Sequence, residues 1–385
     1  MPNVIVGMSG GVDSSVTAYL LKKQGYEVEG LSFILWETRQ SKNFTSCCSL
    51  QAIEGAAKTA AHLGIPHSAV DVRDDFLEKV IEPFIDAYTK GMTPNPCILC
   101  NKYIKFPYLM KEAEKRGAEF IATGHYAKVV SADSSLHRFT DSPIHQFTLK
   151  KGIDAKKDQS YFLYVLKQEE LKRILFPLGE YKKEDVRKLA GELKLPAAQR
   201  PESQEICFIE GRNYFGLIDK INPDSSGSIM DMSGKILSKH KGIYHYTIGQ
   251  RKGLGISSPH PLYVVKIDAE KNIVYVDSQE HAKIKEFEVS GLNWLIPIHP
   301  VRDESLNGVH RFTTSPFEAT VKIRSMMKDA PATIHLSENA DTVKVIFDEP
   351  QWATAPGQSA VFYDEDVVIG GGVIEKVELH EAINA

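Results

Sequence analysis

Up to Leu195 the sequence alternates short apolar runs with stretches of helical spacing, and beyond Pro201 it reads almost entirely as strands. No other feature constrains the fold as strongly. Strand and helix in alternation call for a parallel sheet with helices on both faces, because each crossover must pack back onto the sheet. Val4, Ile5 and Val6 form the first buried strand, and Val12, Val16, Tyr19 and Leu20 then mark a helical face. Lys22 and Lys23 fall at the negative end of that helix, and Gly25 suits the position after its cap. Residues 28–35 read as a second strand, 51–63 as a helix and 67–72 as a third strand. Helices are expected over 76–88 and about 102–115, then a strand at 120–122, then helical spacing over 168–175 and 183–193.

The run 195–201, with two prolines, breaks this pattern. Beyond it, 262–267 and 273–276 suggest a hairpin, and 317–323, 333–336, 343–347 and 359–363 suggest further strands. At ~150 residues per domain, a chain of 385 residues has room for three units. The expected division is an α/β domain over 1–205, a small, mostly β middle domain over 206–283, and a β-barrel over 284–385. No apolar run reaches the ~18 residues of a membrane span, and the N-terminus lacks a basic leader, so a cytoplasmic protein is expected. The net charge of −4 does not advertise a polyanionic partner, although a local basic face would still serve one.

Between the first strand and the first helix lies Ser9-Gly10-Gly11-Val12-Asp13-Ser14-Ser15. Its glycines let the backbone approach an anion, and the N–H groups of the helix start point toward it. Ser9, Ser14 and Ser15 offer hydroxyls, and Asp13 could orient a magnesium ion or a leaving pyrophosphate. The Lys-Ser/Thr ending of a Walker loop is missing. A bare glycine pair would suit a plain strand-to-helix turn; the whole string in this place favours a phosphate site.

The five cysteines, Cys47, Cys48, Cys97, Cys100 and Cys207, are an odd set in a long chain and make a poor disulfide framework. Cys97 and Cys100 follow Thr93-Pro94-Asn95-Pro96, where a helix can begin, and would then share one helical face. A zinc ribbon needs a second matching pair, which is absent. Metal binding or thiol chemistry is the better reading. Cys47 and Cys48 read equally well as ordinary buried cysteines.

The loop closely resembles the PP-loop of the ATP pyrophosphatases, which cleave ATP between the α and β phosphates. Further strings stand in the same order: Thr93-Pro94-Asn95-Pro96 before Cys100-Asn101, Ala122-Thr123-Gly124-His125-Tyr126-Ala127, Lys157-Asp158-Gln159-Ser160-Tyr161, Ser203-Gln204-Glu205-Ile206-Cys207, Ile248-Gly249-Gln250-Arg251-Lys252-Gly253-Leu254-Gly255 and Pro356-Gly357-Gln358. Together they resemble the bacterial tRNA-specific 2-thiouridylases over essentially the whole chain. That resemblance implies ATP- and Mg²⁺-dependent thiolation of the wobble uridine in tRNAs for Lys, Glu and Gln. It implies ATP contacts at Gly7, Met8, Ser9, Gly10, Gly11, Val12, Asp13, Ser14, Phe33 and Gly124, with Phe33 replacing a more usual methionine. It implies that Cys207 carries a persulfide from a sulfur-donor protein, a cysteine desulfurase or relay carrier, and that Cys100 is its catalytic partner. Asn95, Pro96 and Cys97 map onto the target-base contact. His125, Lys157, Asp158, Gln159, Arg324, Ser325 and Gln358 map onto tRNA contacts, with Ser325 where a tyrosine is common. Cys97 stands where many relatives carry aspartate, and a thiol cannot duplicate a carboxylate. Cys97, Cys100 and Cys207 could instead hold an iron–sulfur cluster. Two rival readings are a PP-loop synthetase acting on a small substrate and an RNA-binding adaptor with structural ATP.

Overall fold

Five parallel strands build the sheet that the alternation requires: β1 (Asn3–Gly7), β2 (Glu27–Ile34), β3 (His67–Asp71), β4 (Phe120–Ala122) and β7 (Ile174–Leu175). Their order is β3-β2-β1-β4-β7, so the sequence order reverses beside β1. Ligands bind at such a reversal, outside the carboxyl ends of the strands. The glycine loop follows β1, and Gly124 follows β4. The structure is a computed structural model that describes residues 1–35, 50–131, 147–200, 225–296, 298, 301–302, 312–313, 316–337 and 341–377. Cys47, Cys48 and Cys207 lie outside these residues.

The first helix, α1 (Val12–Lys23), is buried on two sides. Val12, Val16 and Leu20, four residues apart, pack with Val186 and Ala190 of α8 (Lys183–Glu192), while Ala18 and Leu21 pack on Val4 and Val6 of β1. Each large side chain withdrawn in this way contributes roughly 1.5–3 kcal/mol. Gly25 takes φ +92° directly after the cap residue Gln24, the role expected of it. On the same face of β1, α2 (Leu50–Leu63) adds Ala56 and Ala60 to that core.

Two helices depart from the expected bounds. The stretch expected at 76–88 runs as α3 (Arg73–Phe76), a π-turn (Leu77–Ile81) and α4 (Glu82–Thr89). The one expected from about 102 begins earlier, as α5 (Pro96–Cys100), then a π-turn (Asn101–Lys105) and α6 (Phe106–Arg116). Pro96 serves as a first-turn residue that needs no hydrogen-bond donor. The run 168–175 is also not one helix. It gives the single turn α7 (Gln168–Leu171) and then edge strand β7, because Ile174 and Leu175 pair with Ile121 and Ala122. An antiparallel hairpin, β5 (Ala127–Ser131) with β6 (Phe147–Lys151), completes this α/β part.

By contacts the chain divides into two units. The first holds Met1–Glu82, Pro96–Asn213 and Asp366–Val368; the second holds Pro83–Asn95, Tyr214–Glu365 and Ile369–Ala385. The second unit contains the sheet β8 (Gly227–Asp231), β9 (Ile236–His240), β10 (Tyr263–Asp268) and β11 (Ile273–Asp277), in which β10 and β11 form the expected hairpin. It also contains a closed six-stranded barrel. Strand β12 (Lys283–Trp294) pairs with β17 (Val343–Trp352), then β16 (Ala330–Leu336), β15 (Phe317–Lys322), β18 (Ser359–Asp364) and β19 (Val367–Val377), which returns to β12. A two-stranded pair, β13 (Val301–Arg302) with β14 (Phe312–Thr313), stands apart from that order. Phe287, Phe347 and Phe362 are fully buried in the barrel. Among the described residues no helix is long and apolar enough to cross a membrane.

Candidate active site

One cavity of about 420 Å³ opens at the reversal point of the sheet, and all its described lining comes from the first unit. At one end stands the glycine loop. Gly10 has φ +72°, and a Cβ there would lie 2.2 Å from the Ala52 carbonyl oxygen, so only glycine fits. Gly11 caps α1 without any side-chain bond, which leaves the first helical N–H groups facing the cavity. The Ser9 N–H donates to Ser14 Oγ at 3.2 Å, and Ser14 Oγ donates to the Gly11 carbonyl at 3.2 Å. Ser15 Oγ donates to that carbonyl at 2.8 Å and is fully buried. Ser15 therefore serves the helix, not an anion, contrary to its expected role as a hydroxyl donor. Gly124 presses on the loop: a Cβ would come within 2.9 Å of the Asp13 carbonyl carbon and the Ser14 nitrogen.

Asp13 is already engaged. Lys183 Nζ, from the first turn of α8, donates to both of its carboxylate oxygens at 2.7 Å, and Tyr126 Oη donates to Oδ1 at 2.8 Å. Arg200 donates to the Gly10 carbonyl at 3.0 Å and to the Gln51 carbonyl at 2.8 Å. Arg187, one turn beyond Lys183, lines the same wall. None of these three cations was singled out from the sequence. Arg200 sits in the proline-rich stretch that reads only as a boundary, and Lys183 is 170 residues from its partner. Of the described cavity-lining residues, Asp13 alone carries a carboxylate.

Opposite the loop, Phe33 lines the cavity where an adenine-contacting residue was expected, edge-on to Tyr108 at 6.3 Å. Tyr108 donates to Asp75, and that bond pushes its hydroxyl pKa up to about 12. Ser32 gives its single hydroxyl hydrogen to the Met8 carbonyl at 2.7 Å, so His67 Nε2, at 2.9 Å, must donate to Ser32. Burial holds His67 below the ordinary histidine range.

At the other end stand Pro96, Cys97, Cys100 and Asn101, all from the helix that starts at Pro96. Cys100 is buried and Cys97 partly so. Lys105 Nζ donates to Asn101 Oδ1 at 2.9 Å and faces His125 Nε2 at 3.4 Å. An ammonium only donates, so Nε2 accepts and the ring proton sits on Nδ1, given to Thr123 Oγ1 at 2.6 Å. His125 is stacked on Phe106 and abutted by Phe176. Burial first, and the Lys105 charge second, hold it well below its usual pKa, so it stays neutral.

The remaining expected contacts separate. Lys157 and Gln159 line the cavity, and Gln159 clasps the Tyr126 backbone through bonds of 3.0 and 2.9 Å. Asp158 accepts from the Gly152 and Ser160 N–H groups and the Ser160 hydroxyl, at 3.1, 3.2 and 2.9 Å, which makes it a turn anchor. Asn95, Arg324, Ser325 and Gln358 belong to the second unit. There Gln358 Nε2 donates to the Thr93 carbonyl at 2.9 Å, and Arg324 Nη2 donates to the Ile248 carbonyl at 2.9 Å.

A parallel sheet with an anion-cradling glycine loop at its reversal point, in one cavity with a buried thiol, defines an ATP-using α/β domain of the PP-loop kind. Family models agree along the chain: one described as tRNA methyl transferase HUP domain matches residues 2–211, its PRC-barrel domain matches 216–278, and an aminomethyltransferase beta-barrel domain matches 284–374. The chain is 50% identical over 381 residues to tRNA-specific 2-thiouridylase MnmA 2 of Thermoanaerobacter sp., covering 97% of this chain and 98% of that one. It is 43% identical over 376 residues to tRNA-specific 2-thiouridylase MnmA of Clostridioides difficile, with the same coverage. The chain belongs to the tRNA-specific 2-thiouridylase family. Among solved structures, a 4-thiouridine synthetase–RNA complex with bound ATP is 19% identical over 58% of this chain and 51% of its own, with a TM-score of 0.34, too distant to argue from.

Proposed function

We propose that this chain uses ATP to replace the C2 oxygen of the wobble uridine with sulfur in tRNAs for Lys, Glu and Gln. The observation that carries this reading is that the phosphate loop and Cys100 line one cavity. A carbonyl oxygen is a poor leaving group, and AMP is a good one. In the proposed first step O2 of the uracil attacks the α-phosphorus, the bond to pyrophosphate breaks, and N3 gives its proton to water. Loop N–H groups, Lys183, Arg187 and Arg200 stabilise the departing negative charge. Asp13 would hold Mg²⁺ through the carboxylate lone pair that Lys183 and Tyr126 leave open, and when bound the ion would supply further neutralisation of that charge.

In the second step the terminal sulfur of a Cys207 persulfide adds to C2, and AMP leaves with the C2–O bonding pair. The Cys100 thiolate then attacks the inner Cys207 sulfur. The S–S bond breaks toward the base, which regains a proton as 2-thiouridine, and a Cys100–Cys207 disulfide is left for an external thiol to reduce. A persulfide-carrying donor protein reloads Cys207. Residues 1–205, together with Cys207 just beyond them, carry the chemistry in this reading, and 284–385 hold tRNA. An iron–sulfur cluster would need Cys97, Cys100 and Cys207. Of these, Cys97 and Cys100 are among the described residues.

The test is mass spectrometry of nucleosides from tRNA incubated with the chain, ATP and a persulfide donor. The expected product is 2-thiouridine, formed with AMP and pyrophosphate. Intact tRNA binding without 2-thiouridine would sink the reading. Pyrophosphate release that ignores tRNA would favour a small-molecule synthetase.

A further inference from the structure

The thiol end of the cavity holds a cation whose hydrogen-bonding neighbours, Asn101 and His125, are both neutral. Lys105 lies one π-turn beyond Cys100, and its ammonium meets the Asn101 amide oxygen and the neutral His125 ring. Among the described residues no carboxylate lies within ion-pair distance of it, and an ammonium has three hydrogens to place. At the loop end, by contrast, Lys183 is neutralised by Asp13, while Arg200 meets the Gly10 and Gln51 carbonyls. The other titratable groups that line this end are Cys97, Cys100, His125 and Lys157. None of them is a carboxylate that could compensate Lys105. A half-buried positive charge so placed favours a ligand that is, or becomes, negative.

Resting on the function proposed above, we propose that Lys105 is a catalytic residue that stabilises the uracil ring as an anion while its O2 attacks ATP. A neutral uracil is a weak oxygen nucleophile, and its imide N3–H ionises only well above neutrality. Loss of that proton to water spreads negative charge over O2, N3 and O4. Lys105 donates to this charge, Asn101 fixes the ammonium, and His125 accepts from it without adding a competing charge. Its proton-bearing Nδ1 is occupied by Thr123.

The experiment is a ¹⁹F NMR titration of an anticodon stem-loop carrying 5-fluorouridine at the target position, bound to the full chain without ATP. The bound N3 midpoint should lie about one pH unit or more lower on the wild-type chain than on Lys105→Gln. Lys105→Arg, which keeps the charge, should stay within a few tenths of wild type. A structural role alone would leave the midpoints equal in all three chains, and that result overturns the proposal. As a second readout, tRNA-dependent pyrophosphate release by Lys105→Gln should drop about 100-fold near pH 7. It should recover with rising pH and with 5-fluorouridine tRNA, whose N3–H is more acidic. A pH-independent loss would likewise overturn it. Failure of the wild-type chain to bind the stem-loop would instead remove the tRNA reading and this proposal with it.

Discussion

The two ends of the cavity handle charge in opposite ways. At the phosphate end several strong groups are tied down: Asp13 to Lys183 and Tyr126, Arg200 to the Gly10 carbonyl, Ser15 to the Gly11 carbonyl. That end is preorganised for a fixed, highly charged group, and preorganised dipoles need no rearrangement when charge develops. At the thiol end the polar groups are neutral except for Lys105 and Lys157, and the histidine there is kept uncharged. Such a setting suits a neutral base that becomes charged only during reaction. In the proposed function one end holds the reagent and the other activates the substrate.

The comparison breaks most visibly at the proposed nucleophile. Cys100→Ser should lower 2-thiouridine formation by at least about 1000-fold, while tRNA-dependent pyrophosphate release stays within a few-fold of wild type. Parallel loss of both products would show that the two ends do not act in separate steps. Next comes the loop cation. Lys183→Met should reduce pyrophosphate release by roughly 100-fold and leave tRNA affinity, measured by filter binding, nearly unchanged. An unaffected release rate would make Lys183 a strut for Asp13 and nothing more.

The third test uses pH. Because the folded-state pKa of His125 lies below the ordinary 6.5, the unfolded chain takes up a proton that the folded one refuses. The stability this group allows is therefore present above about pH 6.5 and declines as pH falls, by at most about 1.4 kcal/mol per pH unit. His67 and His240 shift in the same direction, so a general loss toward pH 5 is expected. Thermal unfolding of His125→Gln should show a shallower decline over that window than wild type; parallel curves would mean the ring is protonated in place. The smallest effect belongs to Ser15→Ala. Its hydroxyl is spent on Gly11, so the variant should lose about 1 kcal/mol of stability in urea with unchanged kinetics. A raised KM for ATP would return Ser15 to the list of phosphate donors.

Much of the site was legible because it is written in contiguous strings. Gly10, Asp13, Ser14, Cys97 and Cys100 each stand in a short motif whose local geometry, a strand-to-helix turn or a proline-led helix start, already decides where the residue points. Phe33 and Gly124 could be placed from strand alternation, since residues at the ends of neighbouring parallel strands share one sheet edge. Lys183, Arg200 and Lys105 were not legible. A lysine on a helix has the same local pattern whether it faces water or a carboxylate far away in sequence, so nothing near it in the chain distinguishes the two. Residues 168–175 fail for a related reason. Their spacing admits a helix, and only the exposed edge of β4 makes Ile174 and Leu175 a strand.

What the sequence determined by itself was therefore the α/β sheet, the β character of the rest, the phosphate loop and the thiol pair near a helix start. All of these follow from periodicity or from bonds spanning a few residues. Tertiary structure alone decided which cation neutralises Asp13, that Ser15 turns inward, that His125 is neutral with its proton on Nδ1, and that Lys105 faces the cavity with no carboxylate paired to it among the described residues. Those properties depend on burial and on partners brought together from distant segments, and both come into being only when the chain has packed.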